Sequence, residues 1–144
     1  MKRNERGFTF IEMLIVLFIV LSISFISAKI TIKLSEKTIV DHFFHQLLLD
    51  IQMAQTFAME NRTNVIVSFS SKNNYQIYYH FEDIIEFREF PSIVELDYDA
   101  SHMTAFRLNH NGEIDKFGKI IFNTPFGQKT LVVYIKKGRV RYVE

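Results

Sequence analysis

A single carboxylate lies near the start of an otherwise apolar stretch of the chain. Between Phe8 and Ala28, Glu12 is the only charged residue. At a rise of about 1.5 Å per residue, a helix over this stretch reaches roughly 30 Å, which matches the hydrocarbon thickness of a bilayer. A carboxylate in such a segment costs about 3 kcal/mol on insertion scales. Because the chain accepts this cost, Glu12 is a candidate functional residue.

The flank ahead of the apolar stretch is basic. Lys2, Arg3 and Arg6 stand against the single acidic residue Glu5. Positively charged flanks remain in the cytoplasm, so the pattern predicts a single-pass protein of the cell membrane. Its amino terminus is then cytoplasmic, and the chain beyond Lys29 is extracytoplasmic.

Three interpretations of this segment compete. A plain membrane anchor explains the length and the basic flank, but it does not explain Glu12. A secretory signal peptide would be cleaved near Ala28, after Ile26-Ser27, and would discard Glu12. The third interpretation treats Gly7-Phe8-Thr9-Phe10-Ile11-Glu12 as one unit, in which the cut falls after Gly7 and the apolar stretch is retained.

The unit from Gly7 to Glu12 resembles the class III leader of type IV pilins and pseudopilins. The resemblance implies that a membrane-embedded prepilin peptidase cuts after Gly7 and methylates the new amino terminus at Phe8. Glu12 then occupies the fifth mature position, where this family keeps a glutamate. A carboxylate there could neutralise the Phe8 amine of a neighbouring subunit, and two charges that are each costly in lipid would become a pair.

Composition limits the remaining function classes. The chain has 144 residues, a formal net charge of +1 and no cysteine. This length leaves room for one domain beyond the membrane segment. Loss of residues 1–7 would bring the net charge close to neutral, so the whole chain has no strong electrostatic attraction to nucleic acid. Without cysteine, the exported part has no disulfide and no thiolate metal site.

The segment after the apolar stretch has the pattern of an amphipathic helix. No glycine or proline occurs between Phe8 and Phe90, and Asn61 begins a polar stop. One apolar stripe recurs at steps of three and four: Val40, Phe44, Leu47, Ile51, Ala54 and Ala58. We expect this stripe to pack on the chain's own sheet, and we expect the opposite side, with Phe43 and Leu48, to face a neighbouring subunit.

The period of the pattern changes to two from Val65 onward, which indicates strands joined by turns. Turn residues recur at Asn111-Gly112, at Pro125 to Gly127 and at Lys137-Gly138. We therefore predict an antiparallel meander of five to seven strands and an α+β fold of the type IV pilin kind. Its predicted parts are a cleaved leader (1–7), a membrane helix (8–28), an amphipathic helix (29–61) and a sheet domain (62–144).

Two further stretches resemble particular pseudopilins. The order from Asp50 to Gln55, then Val65 to Phe69 and Tyr75 to Ile77, looks like minor pseudopilins of the GspH kind, which serve secretion. The closing stretch from Leu131 to Arg141 is similar to ComGD-type competence pseudopilins of Gram-positive bacteria. The latter resemblance implies a filament that assists DNA uptake for transformation. Its implied partners are other pseudopilins including a major pilin, the prepilin peptidase, an assembly ATPase and a polytopic membrane platform protein.

Candidate sites for metals or catalysis are weak. Asp41 and His45 lie one helical turn apart with His42 nearby, but no third ligand is recognisable. Asp97 and Asp99 lack the spacing of a calcium loop. No nucleophile, phosphate loop or paired carboxylates can be identified. We expect neither an enzyme nor a bound cofactor or metal.

The carboxy-terminal stretch is the one candidate for contact with DNA. Four basic residues lie close together there: Lys136, Lys137, Arg139 and Arg141. Tyr134 precedes them and Tyr142 follows them, and basic groups with aromatic faces are the usual ingredients of nucleic-acid contact. The favoured alternative is an edge hairpin whose basic residues keep an exposed strand soluble.

Overall fold

The computed structural model describes residues 9–79, 83–135 and 140–143, apart from the side chains of Ala28 and Ile30. One long helix, α1, is followed only by strands in these ranges. The elements are α1 (Phe10–Glu60), β1 (Val65–Ser70), β2 (Asn74–Tyr79), β3 (Asp83–Glu89), β4 (Glu95–Asp97), β5 (Ala105–Leu108), β6 (Gly118–Thr124), β7 (Gly127–Val133) and β8 (Val140–Val143). The predicted α+β class is confirmed. The chain divides into two compact units that meet in sequence at Glu36 and Lys37.

The strands form two antiparallel sheets of four strands each. The first sheet has the order β3-β2-β1-β5, and the second has the order β4-β6-β7-β8. The hairpins β1–β2–β3 and β6–β7–β8 follow the predicted meander. The short strands between them do not, since β4 pairs with β6 and β5 pairs with β1. Strands of three and four residues carry too little periodicity to show which partner they take.

The second unit buries the predicted apolar stripe of α1. Val40, Phe44, Leu47, Ile51, Ala54 and Ala58 are all at most 3% exposed. The expectation for Phe43 was wrong, since this side chain is only 5% exposed and belongs to the same core. Leu48 is half-buried and packs against that core. Two sheets contribute to the core, so the buried face of the helix is wider than one stripe.

Aromatic rings meet edge to face at the centre of this core. The ring of Phe43 lies 5.1 Å from Phe44 and 5.2 Å from Phe90, and Phe122 lies 5.3 Å from Phe44 and 5.7 Å from Phe90. Such pairs contribute about 0.5–1.5 kcal/mol each beyond the area they bury. The aromatic core therefore supplies cohesion to a domain that has no disulfide.

A turn after β5 is fixed to α1 by a glycine. Gly112 has a φ of 74°, and the side-chain amide of Gln55 donates a hydrogen bond of 2.7 Å to its carbonyl oxygen. A Cβ atom at this position would lie 2.9 Å from the sulfur of Met59. The predicted Asn111-Gly112 turn thus needs glycine both for its backbone conformation and for its close approach to the helix.

A buried carboxylate joins α1 to the first sheet. Asp50 is 5% exposed, and its Oδ2 accepts hydrogen bonds from the Tyr75 hydroxyl at 2.5 Å and from Arg88 Nε at 2.8 Å. Gln46 Nε2 donates to its other oxygen at 2.8 Å. Arg88 is also held by Glu86 at 3.0 Å. Three donors compensate the buried charge, so the network fixes how β2 and β3 meet the helix.

Replacing Asp50 with asparagine keeps the shape of the side chain but removes the charge that Arg88 and Tyr75 share. We expect Asp50→Asn to lower the free energy of unfolding by about 1–3 kcal/mol, because hydrogen bonds to a buried charged group are lost or weakened. The measurement is thermal unfolding of the full-length chain in detergent. Asp41→Asn is the matched control, since Asp41 is half exposed in its ion pair with Lys129 and such pairs contribute at most about 1 kcal/mol. Equal losses in both variants would contradict the role given to Asp50.

Two tyrosines are expected to resist ionisation until the domain unfolds. Burial raises the pKa of Tyr75, and the Asp50 carboxylate raises it further; burial also raises the pKa of Tyr142. Both pKa values exceed the value of about 10 for tyrosine in an unfolded chain. The stability that the two protonated tyrosines contribute is therefore fully present below pH 10 and is lost as the pH rises above it. Absorbance at 295 nm should show Tyr75 and Tyr142 titrating together with the loss of circular dichroism. Tyr75→Phe and Tyr142→Phe should each remove one of the two; ionisation of all six tyrosines before unfolding would contradict the prediction.

Candidate functional site

The helix α1 begins beside the candidate carboxylate. Thr9 immediately precedes the helix, and Glu12 lies in its first turn. The backbone N–H and the hydroxyl of Thr9 each lie 3.4 Å from Glu12 Oε2. The Thr9 carbonyl accepts from the N–H groups of Glu12 at 3.1 Å and Met13 at 3.2 Å. The contact between the Thr9 N–H and the Glu12 carboxylate is one of the two bonds of a capping box.

The bonds that Glu12 accepts from Thr9 are long. Both distances of 3.4 Å exceed the 2.7–3.2 Å that is usual for strong hydrogen bonds. The carboxylate is also exposed. The helix dipole favours an acidic group in the first turn, so this position suits a carboxylate. Glu12 is therefore oriented by its own chain but retains lone pairs that can accept from a second cation.

The helix around Glu12 exposes apolar side chains on all sides. Every large apolar side chain from Phe10 to Ile26 is between 47% and 81% exposed. The eight nearest to Glu12 that we expect to line a helix bundle are Phe10, Ile11, Met13, Leu14, Ile15, Val16, Leu17 and Phe18. Within the described residues α1 is the one helix long and apolar enough to cross a membrane, and none of the apolar window is buried in the chain's own fold. This segment fits a membrane anchor.

Two hydroxyl groups in this segment bond to the helix itself. Ser22 donates to the Phe18 carbonyl at 2.8 Å, and Ser24 donates to the Val20 carbonyl at 2.8 Å. A hydroxyl that donates a hydrogen bond to the carbonyl four residues earlier needs no water as a partner. These serines are thus compatible with an apolar surrounding, whereas the charge of Glu12 cannot be satisfied by a bond of this kind.

The predicted processing site lies outside the described residues. This applies to Gly7, after which the cut is predicted, and to Phe8, the predicted site of methylation. Their roles therefore stay predictions from the sequence. Of the predicted leader and assembly residues, the structure describes Glu12.

The histidine and aspartate pair on α1 does not form a metal site in the described part of the chain. Asp41 accepts a hydrogen bond of 2.8 Å from the Lys129 ammonium, which also lies 5.2 Å from the ring centre of Phe44. This hydrogen bond lowers the pKa of Asp41. No group of three or more metal-binding side chains occurs among the described residues. Asp41 thus ties the helix to β7.

Asp97, the last residue of β4, is used by the turn that follows the strand. Asp97 Oδ1 accepts from the N–H of Ala100 at 3.1 Å, and the carbonyl of Asp97 accepts from the Ser101 hydroxyl at 2.6 Å. Asn123 donates to Asp97 Oδ2 at 3.3 Å. These bonds account for Asp97 as a turn residue.

The basic residues near the carboxy terminus are described only in part. Arg141 is exposed in β8, whereas Lys136, Lys137 and Arg139 lie outside the described residues. The hydroxyl of Tyr142 donates to the Phe44 carbonyl at 3.0 Å, so its ring faces the core. Tyr134 is 40% exposed and lies 6.0 Å from the ring of Phe117. Of the two aromatic residues expected to accompany the basic residues, Tyr142 therefore faces the core, whereas Tyr134 is exposed.

Sequence reasoning missed the buried network around Asp50. The signal was available, because Asp50 falls on the apolar stripe of α1 beside Leu47, Ile51 and Ala54. A carboxylate on a buried helix face requires cationic or hydrogen-bonding partners. What the sequence did not show is that Tyr75 and Arg88 supply them from two strands.

Comparison with known families matches the amino-terminal segment. The family model of the prokaryotic N-terminal methylation motif matches residues 2–28, which include the basic flank, Glu12 and the apolar segment. No curated protein and no solved structure matches the chain. The motif implies processing by a prepilin peptidase and assembly with other pilins, and its family consists of structural filament subunits. The amino-terminal signal is therefore that of a pilin-like protein.

Proposed function

We propose that the chain is a minor pseudopilin of a competence pseudopilus, which assembles from the membrane into a filament that assists DNA uptake. The observation that carries the proposal is the position of Glu12, an exposed carboxylate in the first turn of an apolar helix that matches the methylation motif. A plain anchor has no use for this charge, whereas a subunit that must find a partner in the membrane does.

The assembly step follows from the charges at the helix start. Cleavage after Gly7 would give Phe8 a positively charged amine within about one helical turn of Glu12. A neighbouring subunit that supplies this amine would turn two separately costly charges into one pair. The long bonds from Thr9 to Glu12 leave the carboxylate able to accept it. The pair forms only when neighbouring subunits reach the correct register, so it selects the assembled state.

The surroundings of Glu12 support packing between helices. The apolar side chains from Phe10 to Phe18 are exposed on this chain, and lipid or the same segment of other subunits would cover them. In the filament we propose that they line a helix bundle. The sheet domain would then be extracytoplasmic and reach the cell surface with the assembled filament, since the basic flank remains in the cytoplasm.

The assignment to competence depends on the resemblance of the stretch from Leu131 to Arg141, together with the small size and the absence of cysteine. A minor pseudopilin of a type II-like secretion system is the alternative with the same assembly chemistry. A sheet domain released by cleavage near Ala28 is the alternative of another class. The match of the methylation motif over residues 2–28 favours the first two.

Direct contact with DNA is a separate and weaker part of the proposal. Arg141 exposes its side chain on β8, and Lys136, Lys137 and Arg139 precede it in the sequence. Basic groups close together in the sequence suit phosphate contact. A subunit that acts through filament assembly alone does not need these basic residues for contact with DNA.

The mature amino terminus tests the processing step. We expect intact-mass measurement of the membrane protein to show loss of residues 1–7 and gain of one methyl group on Phe8. Gly7→Val should retain the heptapeptide, because the new side chain blocks the glycine position before the cut. A functional chain that begins at Lys29, or that keeps residues 1–7, would overturn the pilin-like assignment.

The charge pair is tested by Glu12→Gln, which preserves shape and removes charge. We expect transformation to fall by about tenfold or more, because removing one member of a desolvated charge pair costs about 2–5 kcal/mol. Glu60→Gln, at the exposed end of the same helix, is the control and should leave transformation unchanged.

The Glu12→Gln variant also separates the competence role from the secretion role. Transformation and protein secretion are measured in parallel for Glu12→Gln. If DNA uptake remains at the wild-type level while secretion fails, the competence assignment is wrong and the secretion alternative takes its place.

A further inference from the structure

Four strands of the described sheets, β3, β4, β5 and β8, have a neighbour on one side only, and of these β3 and β8 carry opposite charges on exposed side chains. β3 borders β2 at one end of the first sheet, and β8 borders β7 at one end of the second. An edge strand presents unpaired N–H and C=O groups to any strand of matching length and chemistry. Both edges belong to the second unit, whose core is complete around them.

The outer face of β3 is apolar at its centre. Arg88 lies opposite the buried Tyr75, and Glu86 lies opposite the buried Ile77, so both point toward α1. Phe87 lies between these two residues and therefore points outward. Ile84 also points outward, because its strand partner Tyr78 lies between two inward-facing residues of β2. Phe87 is 46% exposed and Ile84 is 56% exposed. A strand that is protected from pairing by charge alone would not expose two large apolar side chains on its outer face.

The outer face of β8 has one basic and one apolar side chain. Val140 and Tyr142 pack against the core, and they alternate with Arg141 and Val143, which are exposed. Val143 is 50% exposed. Arg141 and Val143 thus offer one cation and one apolar group, two residues apart, on the face that points away from the helix.

The charges on the two edges favour a mixed pairing. Asp83 and Glu89 are exposed on β3, whereas Arg141 is exposed on β8. Two copies of β3 side by side would place acid near acid, and two copies of β8 would place arginine near arginine. Like charges on neighbouring strands are destabilising, and opposite charges are stabilising.

We propose that β3 of one copy pairs with β8 of a second copy in an antiparallel arrangement. Glu89 then lies opposite Arg141, and Phe87 lies opposite Val143. The same register places Arg88 opposite Tyr142, and both of these side chains face their own cores. The first sheet of one copy and the second sheet of the next become one continuous sheet, with all outward side chains on one side.

This contact joins two different surfaces of the same chain. Such a head-to-tail contact repeats from copy to copy and gives a ring or an open filament rather than a closed dimer. The pairing concerns the sheet domain alone and needs neither cleavage at Gly7 nor a role in DNA uptake. Three residue pairs form a small interface, so we expect the contact in membranes, where the anchors hold copies at high local concentration.

The cysteine-free sequence permits a direct test by disulfide trapping. Two full-length copies with different tags are expressed together in the membrane, one carrying Phe87→Cys and the other Val143→Cys. Side chains directly opposite on antiparallel strands are close enough to be linked. We expect a mixed disulfide dimer after mild oxidation. Ser68→Cys with Val143→Cys is the matched control, because Ser68 lies in β1, which β2 and β5 flank on both sides, and this pair should not be linked.

Charge reversal tests the predicted register. Glu89→Arg, added to the copy with Phe87→Cys, should lower the yield of the mixed disulfide dimer by about fivefold, because it places two cations opposite each other. Adding Arg141→Glu to the copy with Val143→Cys should restore the yield. The side chains of Glu89 and Arg141 are exposed, and unchanged circular dichroism would show that the variants fold.

Three results would overturn the proposal. One is equal linkage of the Ser68 control, which would show unspecific collision. A second is loss of linkage that the charge swap does not restore. The third is linkage of Phe87→Cys only to another protein of the membrane, which would assign this edge to a different partner.

Discussion

The charge of Glu12 is the constraint on which the proposed role of this chain depends. The carboxylate lies in the first turn of a helix whose large side chains are apolar and exposed from Phe10 to Ile26. Thr9 orients it through bonds of 3.4 Å but does not neutralise it. The hydroxyls of Ser22 and Ser24 are satisfied by the helix itself. In the proposed function, assembly supplies Glu12 with a cation from a neighbouring subunit.

The helix α1 carries two different patterns because its two parts meet different surroundings. From Phe10 to Ile26 its large apolar side chains are exposed on every side, which suits lipid or other helices. Beyond Lys37 one wide face is buried by strands of both sheets, and the buried Asp50 fixes the contact through Tyr75 and Arg88. One helix thus carries an exposed apolar segment and a segment whose wide face is buried in the chain's own core.

Periodicity predicted the parts of the fold in which one residue type repeats many times. The stripe from Val40 to Ala58 and the hairpins around Ser70 and Gly127 appear as expected. The pairing of β4 with β6 and of β5 with β1 was not predictable, since short strands take their partners from the tertiary fold. Phe43 was misplaced because the width of a buried helix face depends on how many sheets cover it. At the candidate site, the sequence alone pointed to Glu12, because a carboxylate in an apolar segment is energetically costly. Its contact with Thr9 is visible only in the structure.

The ring cluster of Phe43, Phe44, Phe90 and Phe122 holds the second unit together by shape and burial. Cohesion of this kind does not depend on the oxidation state of the surroundings, unlike that of many secreted domains of similar size. The domain can therefore reach the same native packing on either side of a membrane, in reducing or oxidising conditions, without any enzyme that forms or reshuffles sulfur bonds.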